Sequence, residues 1–308
     1  MKDCVIHIGI PKTATSFLQL KVFPHFSGLR YLSHVDIRES VAFNHLQLAD
    51  DSLYDDGIVQ DYIGSLKDDR LLLSEERFSG RFLGFGGVIN RSIIAKRLKE
   101  VLPDARILVF LRGQTSFIYS TYQQYIKGYA HGIKPFSEFI VDLEGYSGSQ
   151  ARKPEYDALS LTFSPHYVFY FELLSLYTSL FKEVKVLLFE DLIREPEKVL
   201  HGMEDFIKPT NSLAGKVDWN YRENQGVSRT ELHAIRYFNS TKFMGNRILT
   251  KLFRELMLTL NYRLKNKGED ERAAAAEMAG LFHENNRKVI ERFPEAGIQR
   301  YPDAYPTG

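Results

Sequence analysis

Residues 11–16, Pro11-Lys12-Thr13-Ala14-Thr15-Ser16, place one ammonium and three hydroxyls in six positions. They follow an apolar run, Val5 to Ile8, and lead into Phe17-Leu18-Gln19, where a helix-like pattern begins. A loop entering a helix N-terminus offers unpaired N–H groups and the positive end of the helix dipole, so an anion such as phosphate suits it. Thr13, Thr15 and Ser16 add hydroxyl donors and Lys12 adds a cation. The nucleoside-triphosphatase loop G-x-x-x-x-G-K-[ST] is a poor match. Counted from Gly9, Ala14 stands where that motif needs glycine and Thr15 where it needs lysine. The loop therefore suits a phosphate but disfavours an ordinary ATP or GTP site. A capped helix start with a surface lysine is the plainer alternative.

A second stretch, "ILVFLRGQTSFIYSTYQQYIKGY" (107–129), ends an apolar run on Arg112. Gly113-Gln114-Thr115 makes a turn, and a helix follows that carries Ser120 eight positions after the arginine. A guanidinium at a strand end can grip a second phosphate with two parallel hydrogen bonds. Ser120, two turns into the helix, can approach it from another side. The alternative is an arginine paired with a core carboxylate and a serine on an ordinary amphipathic helix.

The elements that must position these residues are legible as short apolar runs: Val5–Ile8, Leu71–Ser74, Arg106–Leu111 and Val184–Phe189. Such runs fit strands covered on both faces. Helical patterns at 92–103, 166–181 and 195–207 separate or follow them. The alternation predicts an α/β fold with a mainly parallel sheet and its ligand beyond the carboxyl ends of the strands. Residues 1–308 are expected to form a single domain, helical from about residue 229 on, with Gly145 to Ser149 as a mobile loop.

Composition narrows the function. A net charge of +1 gives no global signal for nucleic acid. One cysteine, Cys4, excludes an internal disulfide and a multi-cysteine metal site, and no H-E-x-x-H spacing occurs, so no metal is expected. No stretch approaches the roughly 18 apolar residues of a membrane span. No secretory leader is visible, so the chain, if complete, is expected in the cytoplasm.

Together the two stretches resemble the sulfotransferases that use 3′-phosphoadenosine 5′-phosphosulfate (PAPS), in particular a bacterial branch with L-R-x-Q and S-x-Y-x-Q. That family has P-K-[TS]-[GA]-[TS]-[TS] around the 5′-phosphosulfate and R-x₇-S around the 3′-phosphate. "PKTATSF" is also similar to the loop of the uronosyl 2-O-sulfotransferases. "VLLFEDLIREPEKVL", "RENQGVSRTELHAIRYFN" and "LFHENNRKVIERF" resemble later family segments more weakly. Two departures stand out. Ala14 replaces the commoner glycine, which predicts a helical or extended backbone there, not a left-handed one. Phe117 stands where many relatives carry arginine.

The resemblance implies a P-loop-like three-layer fold and transfer of a sulfuryl group from PAPS, without a metal, to an acceptor hydroxyl, with a surface glycan as the preferred acceptor and a small molecule or lipid as the alternative. Pro11 to Phe17 would surround the 5′-phosphosulfate, with Lys12 neutralising the leaving oxygen. Arg112 and Ser120 would hold the 3′-phosphate, and Arg222 or Arg229 would add a contact from a covering loop. A general base is still needed. "RLLLSEERFSG" (70–80) runs off a strand into Glu75-Glu76. In the resembling enzymes a Glu or His in this part of the fold is the base, so Glu75 is the first candidate, with Glu76 and His34 as substitutes. Surface pairing of both carboxylates with Arg77 or Arg81 is the alternative. The segment 122–136, with Lys127, His131 and Lys134, is a candidate acceptor wall. Rival classes are a nucleotide kinase, which the missing G-K-[ST] disfavours, and a non-catalytic nucleotide-binding protein.

Overall fold

Apolar runs of five or six residues become the main strands of one parallel sheet. In the computed structural model, which describes residues 2–81, 83, 90–128, 136–140, 162–220 and 269–308, these are β1 (Asp3–His7), β2 (Arg30–Leu32), β3 (Arg70–Ser74), β4 (Arg106–Leu111) and β5 (Val184–Leu188). The order is β2-β3-β1-β4-β5, every pair parallel. The chain fills one side of β1 with β3 and β2, then crosses to the other side for β4 and β5. Such a reversal opens a crevice beyond the carboxyl ends, next to β1. The expected α/β class with a parallel sheet is what the chain adopts. The short β2 was not anticipated.

Alternation along β1 sends side chains to two cores. Cys4, Ile6 and Ile8 join Leu71, Leu73, Ile107, Val109 and Leu111 on one face; Val5, Leu72, Leu108 and Phe110 form the other with Leu18, Val22 and Phe23. Helices cover both. After β1 come α1 (Thr15–Phe17), prolonged by a π-type turn (Leu18–Val22), then α2 (His34–Glu39), α3 (Val41–Leu48) and α4 (Asp56–Ser65). Next are α5 (Arg91–Val101), α6 (Gln114–Gly128), α7 (Phe136–Phe139), α8 (Tyr170–Leu180), α9 (Phe189–Arg194) and α10 (Pro196–Ile207). The expected helix over 166–181 is divided: a 3₁₀ turn, Pro165–Val168, is separated from α8 by Phe169 in an extended conformation. Helices Glu269–Glu277 and His283–Arg292, joined by a 3₁₀ turn (Met278–Phe282), and two further 3₁₀ turns lead to the carboxyl terminus. Residues 229–268 of the stretch expected to be helical, and the loop 145–149, lie outside the described residues. Among the described residues no helix is long and apolar enough to cross a membrane.

Register sets the height of the site. His7 is opposite Ser74 on one side and Leu108 on the other. β4 continues three residues further to Leu111, a climb of about 10 Å at the usual strand rise. That lifts Arg112 toward the top of the loop that follows β1.

Candidate active site

The loop after β1 is shaped by its own side chains. Thr13 and Thr15 are buried, and both hydroxyls donate to the Ile10 carbonyl, at 2.6 and 2.9 Å. Two of the three hydroxyls expected to face a phosphate therefore also hold the loop closed. Lys12 and Ala14 have φ of 66° and 65°, Thr13 between them is not in the positive region, and Thr15 begins a helix. Left-handed residues on either side of one outside that region are the pattern from which anion-binding nests are built. The expectation that Ala14 avoids the left-handed region is thus corrected. The alanine is held there by the tied loop on one side and by α1 on the other, where Leu18 N–H donates to the Ala14 carbonyl. Pro11 is buried, and Ser16 and Phe17 are partly buried on the first turn. Phe17 packs its ring 5.5 Å from that of Trp219.

Glu75 meets an arrangement that does not suit the role expected of it. It is fully buried, and Arg38 grips its carboxylate with two 2.8 Å hydrogen bonds from Nε and Nη2. The Arg77 backbone N–H adds a third at 3.0 Å. Both oxygens of this carboxylate are already taken by donors, two of the three from a charged guanidinium. Neither surface pairing nor exposure to an acceptor describes it.

Glu76 is placed differently. It is partly buried, and its Cγ lies 3.3 Å from where a Cβ on Gly9 would stand, so it leans over the opening loop. The same missing Cβ would meet Thr15 Cγ2 at 2.8 Å, which is why only glycine fits at position 9. Burial raises the Glu76 carboxyl to about 7; the charges of Arg38 and Lys12 pull it down and that of Glu75 pushes it up. The turn carrying Glu76 is fixed to the opening loop. Ser79 Oγ lies 3.1 Å from the Gly9 carbonyl, 2.7 Å from the Glu76 carbonyl and 2.6 Å from Tyr167 Oη. Arg91, itself buried, donates to the Ser79 and Tyr167 carbonyls, both at 2.8 Å. His34, the other substitute, opens α2, and its Nδ1 is buried without a hydrogen-bond partner among the described residues.

The second loop closes onto the first. Arg112 Nη1 donates to the Lys12 carbonyl at 2.7 Å, and its guanidinium stacks over Phe189 at 4.4 Å. Its Nε donates to Ser116 Oγ at 3.0 Å. Ser116 and Ser120 are one turn apart on α6, so they share a helix face. Ser116 went unnoticed in the sequence, although its spacing of four from Arg112 was the available signal. Arg38 offered no such signal: it reaches Glu75 across 37 residues. Phe117, where arginine was the family expectation, is fully buried and stacks with Tyr167. Arg222, Arg229, His131 and Lys134 lie outside the described residues, as does the Lys127 side chain.

No protein-family model matches the chain, and no curated protein does. Among solved structures it is similar to a sulfotransferase from Alicyclobacillus acidocaldarius, at 16% identity and a TM-score of 0.44, covering 88% of this chain and 99% of that one. It is also similar to mouse sulfotransferase SULT7A1 complexed with PAP, at 13% identity and a TM-score of 0.43, covering 98% and 89%. A third is the sulfotransferase domain from the curacin biosynthetic pathway, at 12% identity and a TM-score of 0.38, covering 91% and 98%.

Proposed function

We propose that this protein is a sulfotransferase that moves the sulfuryl group of PAPS to an acceptor hydroxyl, with a carbohydrate as the acceptor class. The observation that carries this reading is the Arg112 guanidinium on the Lys12 carbonyl. Two loops, each after a parallel strand, are thereby tied to one another, which supports a shared ligand with one phosphate group in each. The nest at residues 12–15 takes the 5′-phosphosulfate, with Pro11 to Phe17 around it. Arg112, Ser116 and Ser120 take the 3′-phosphate, and Arg222 is the proposed further contact from the segment that follows residue 220.

The chemistry is an in-line displacement through a loose transition state, so positioning and charge stabilisation dominate. The acceptor oxygen bonds to sulfur as the bond from sulfur to the bridging oxygen breaks. Negative charge grows on that bridging oxygen, and Lys12 neutralises it. The acceptor proton passes to Glu76, whose carboxyl is poised near neutrality over the same loop. Glu75 holds Arg38 and sets the charge around Glu76 without itself taking the proton. No step in this scheme calls for a metal.

Thermal shift with adenosine 3′,5′-bisphosphate, ATP and GTP tests the donor assignment, since a ligand stabilises by mass action. The bisphosphate is expected to stabilise most. Stabilisation by ATP alone would overturn the reading in favour of a kinase. Arg112→Ala is expected to weaken the bisphosphate far more than adenosine 5′-monophosphate. Labelled sulfate transfer from PAPS to an acceptor panel then identifies the acceptor.

A further inference from the structure

The carboxyl-terminal tail is folded against the Arg112 turn, not left on the surface. Tyr305 is 1% exposed, and its hydroxyl donates to Glu190 Oε2 at 2.9 Å. The other oxygen of Glu190 accepts from the Gly113 backbone N–H at 3.0 Å. A Cβ on Gly113 would stand 2.8 Å from both the Cβ and the carbonyl oxygen of Ala304, so the tail occupies the space that glycine leaves. On the other side, Tyr170 Oη donates to the Arg112 carbonyl at 2.5 Å. Burial, and the charge of Glu190 beside it, keep the Tyr305 hydroxyl protonated and hence a donor. The tail is anchored independently one residue further along α9, where Arg300 makes a two-bond pair with Asp191 and Tyr301 donates to the same carboxylate at 2.6 Å.

We propose that Tyr305, acting through Glu190 and the Gly113 N–H, is a positioning residue for Arg112, so that the carboxyl-terminal tail sets recognition of the nucleotide's 3′-phosphate. The inference rests on the assignment of Arg112 to that phosphate. A two-bond grip on a phosphate tolerates little error in the direction of the guanidinium. The backbone on both sides of Arg112 is fixed by side chains distant in sequence, and Glu190 is the joint between the turn and the tail. Tyr305→Phe keeps the buried ring and removes one donor to a carboxylate.

The test measures calorimetric affinities of the full chain for adenosine 3′,5′-bisphosphate and adenosine 5′-monophosphate. Tyr305→Phe is expected to weaken the bisphosphate about tenfold while the monophosphate stays within about twofold, the scale of one hydrogen bond to a charged group. Gly113→Ala, which must displace Ala304, is expected to give the same selective loss. Tyr301→Phe, which keeps the ring and backbone and removes only the hydroxyl's bond to Asp191, is expected to leave both affinities unchanged. A parent chain that prefers the bisphosphate and a Tyr305→Phe chain that keeps that preference in full overturn the inference alone. Equal loss of both ligands, the sign of general loosening, also overturns it. A parent chain with no preference removes the Arg112 assignment and the inference with it.

Discussion

Two adjacent glutamates show how little residue type decides without surroundings. Glu75 is sealed by Arg38 and a backbone N–H, whereas Glu76 leans over Gly9 with its carboxyl raised to about 7. A base must be ionised to accept a proton, so transfer by the parent chain should rise with pH through about 7 and then level. Glu76→Gln should bind nucleotide normally and lose on the order of 10²–10⁴ in rate. Turnover near the parent rate would shift the base to His34. Lys12 adds a second, separable effect. Its charge lowers the Glu76 carboxyl, so Lys12→Met should slow transfer through the leaving group and also move the pH–rate midpoint upward. A slowed enzyme with an unmoved midpoint would place Lys12 too far from Glu76 to matter to it.

At the scale of elements, the loop after β1 stores strain where an anion is expected. An alanine in the left-handed region costs roughly 1–2 kcal/mol, and such strain tends to persist at ligand clamps. Ala14→Gly should relieve it, less the extra chain entropy that glycine loses, for a net gain of about 0.5 kcal/mol. A small rise in melting temperature with nucleotide affinity retained is the expected result; a fall would mean that the alanine methyl makes contacts worth more than the strain. This conformation was not legible in the sequence, because alanine itself argues against it and it is enforced by the Thr13 and Thr15 bonds to Ile10 together with the Leu18 bond to Ala14. The strands were legible, since runs such as Arg106–Leu111 are apolar on both faces and can be little else. β2 was not: Arg30-Tyr31-Leu32 is too short to show alternation, and pairing with β3 decides it. Local spacing was enough to make Lys12 and Arg112 candidates. It was not enough for Arg38, Ser79, Arg91 and Tyr305, because each acts on residues brought near only by the fold.

Across the whole molecule, one buried and one partly buried titratable group pull stability in opposite directions. His7 is fully buried between Phe23 and Phe110, and burial drives its imidazole down to about 3 from 6.5. Its contribution is present above about 6.5, where the unfolded chain also holds it neutral, and is lost as pH falls. Glu76 runs the other way. Its folded value of about 7 lies above the unfolded 4.5, so its contribution is full below 4.5 and is lost as pH rises through 7. Between these limits the two partly cancel, and the parent chain should show a shallow pH dependence from this pair. Glu76→Gln removes one of them and leaves His7 in place. In the variant, the neutral amide avoids the cost of burying an ionised carboxylate. The variant should therefore match the parent near pH 4.5, grow more stable than it as pH rises to 7, and keep a constant lead above that. His7 is common to both chains and drops out of the difference. Urea midpoints at pH 5 and pH 8 measure it. A lead that is the same at both values would show that the Glu76 carboxyl is not raised in the folded chain, and with that the case for its being poised as a base near neutrality would fall.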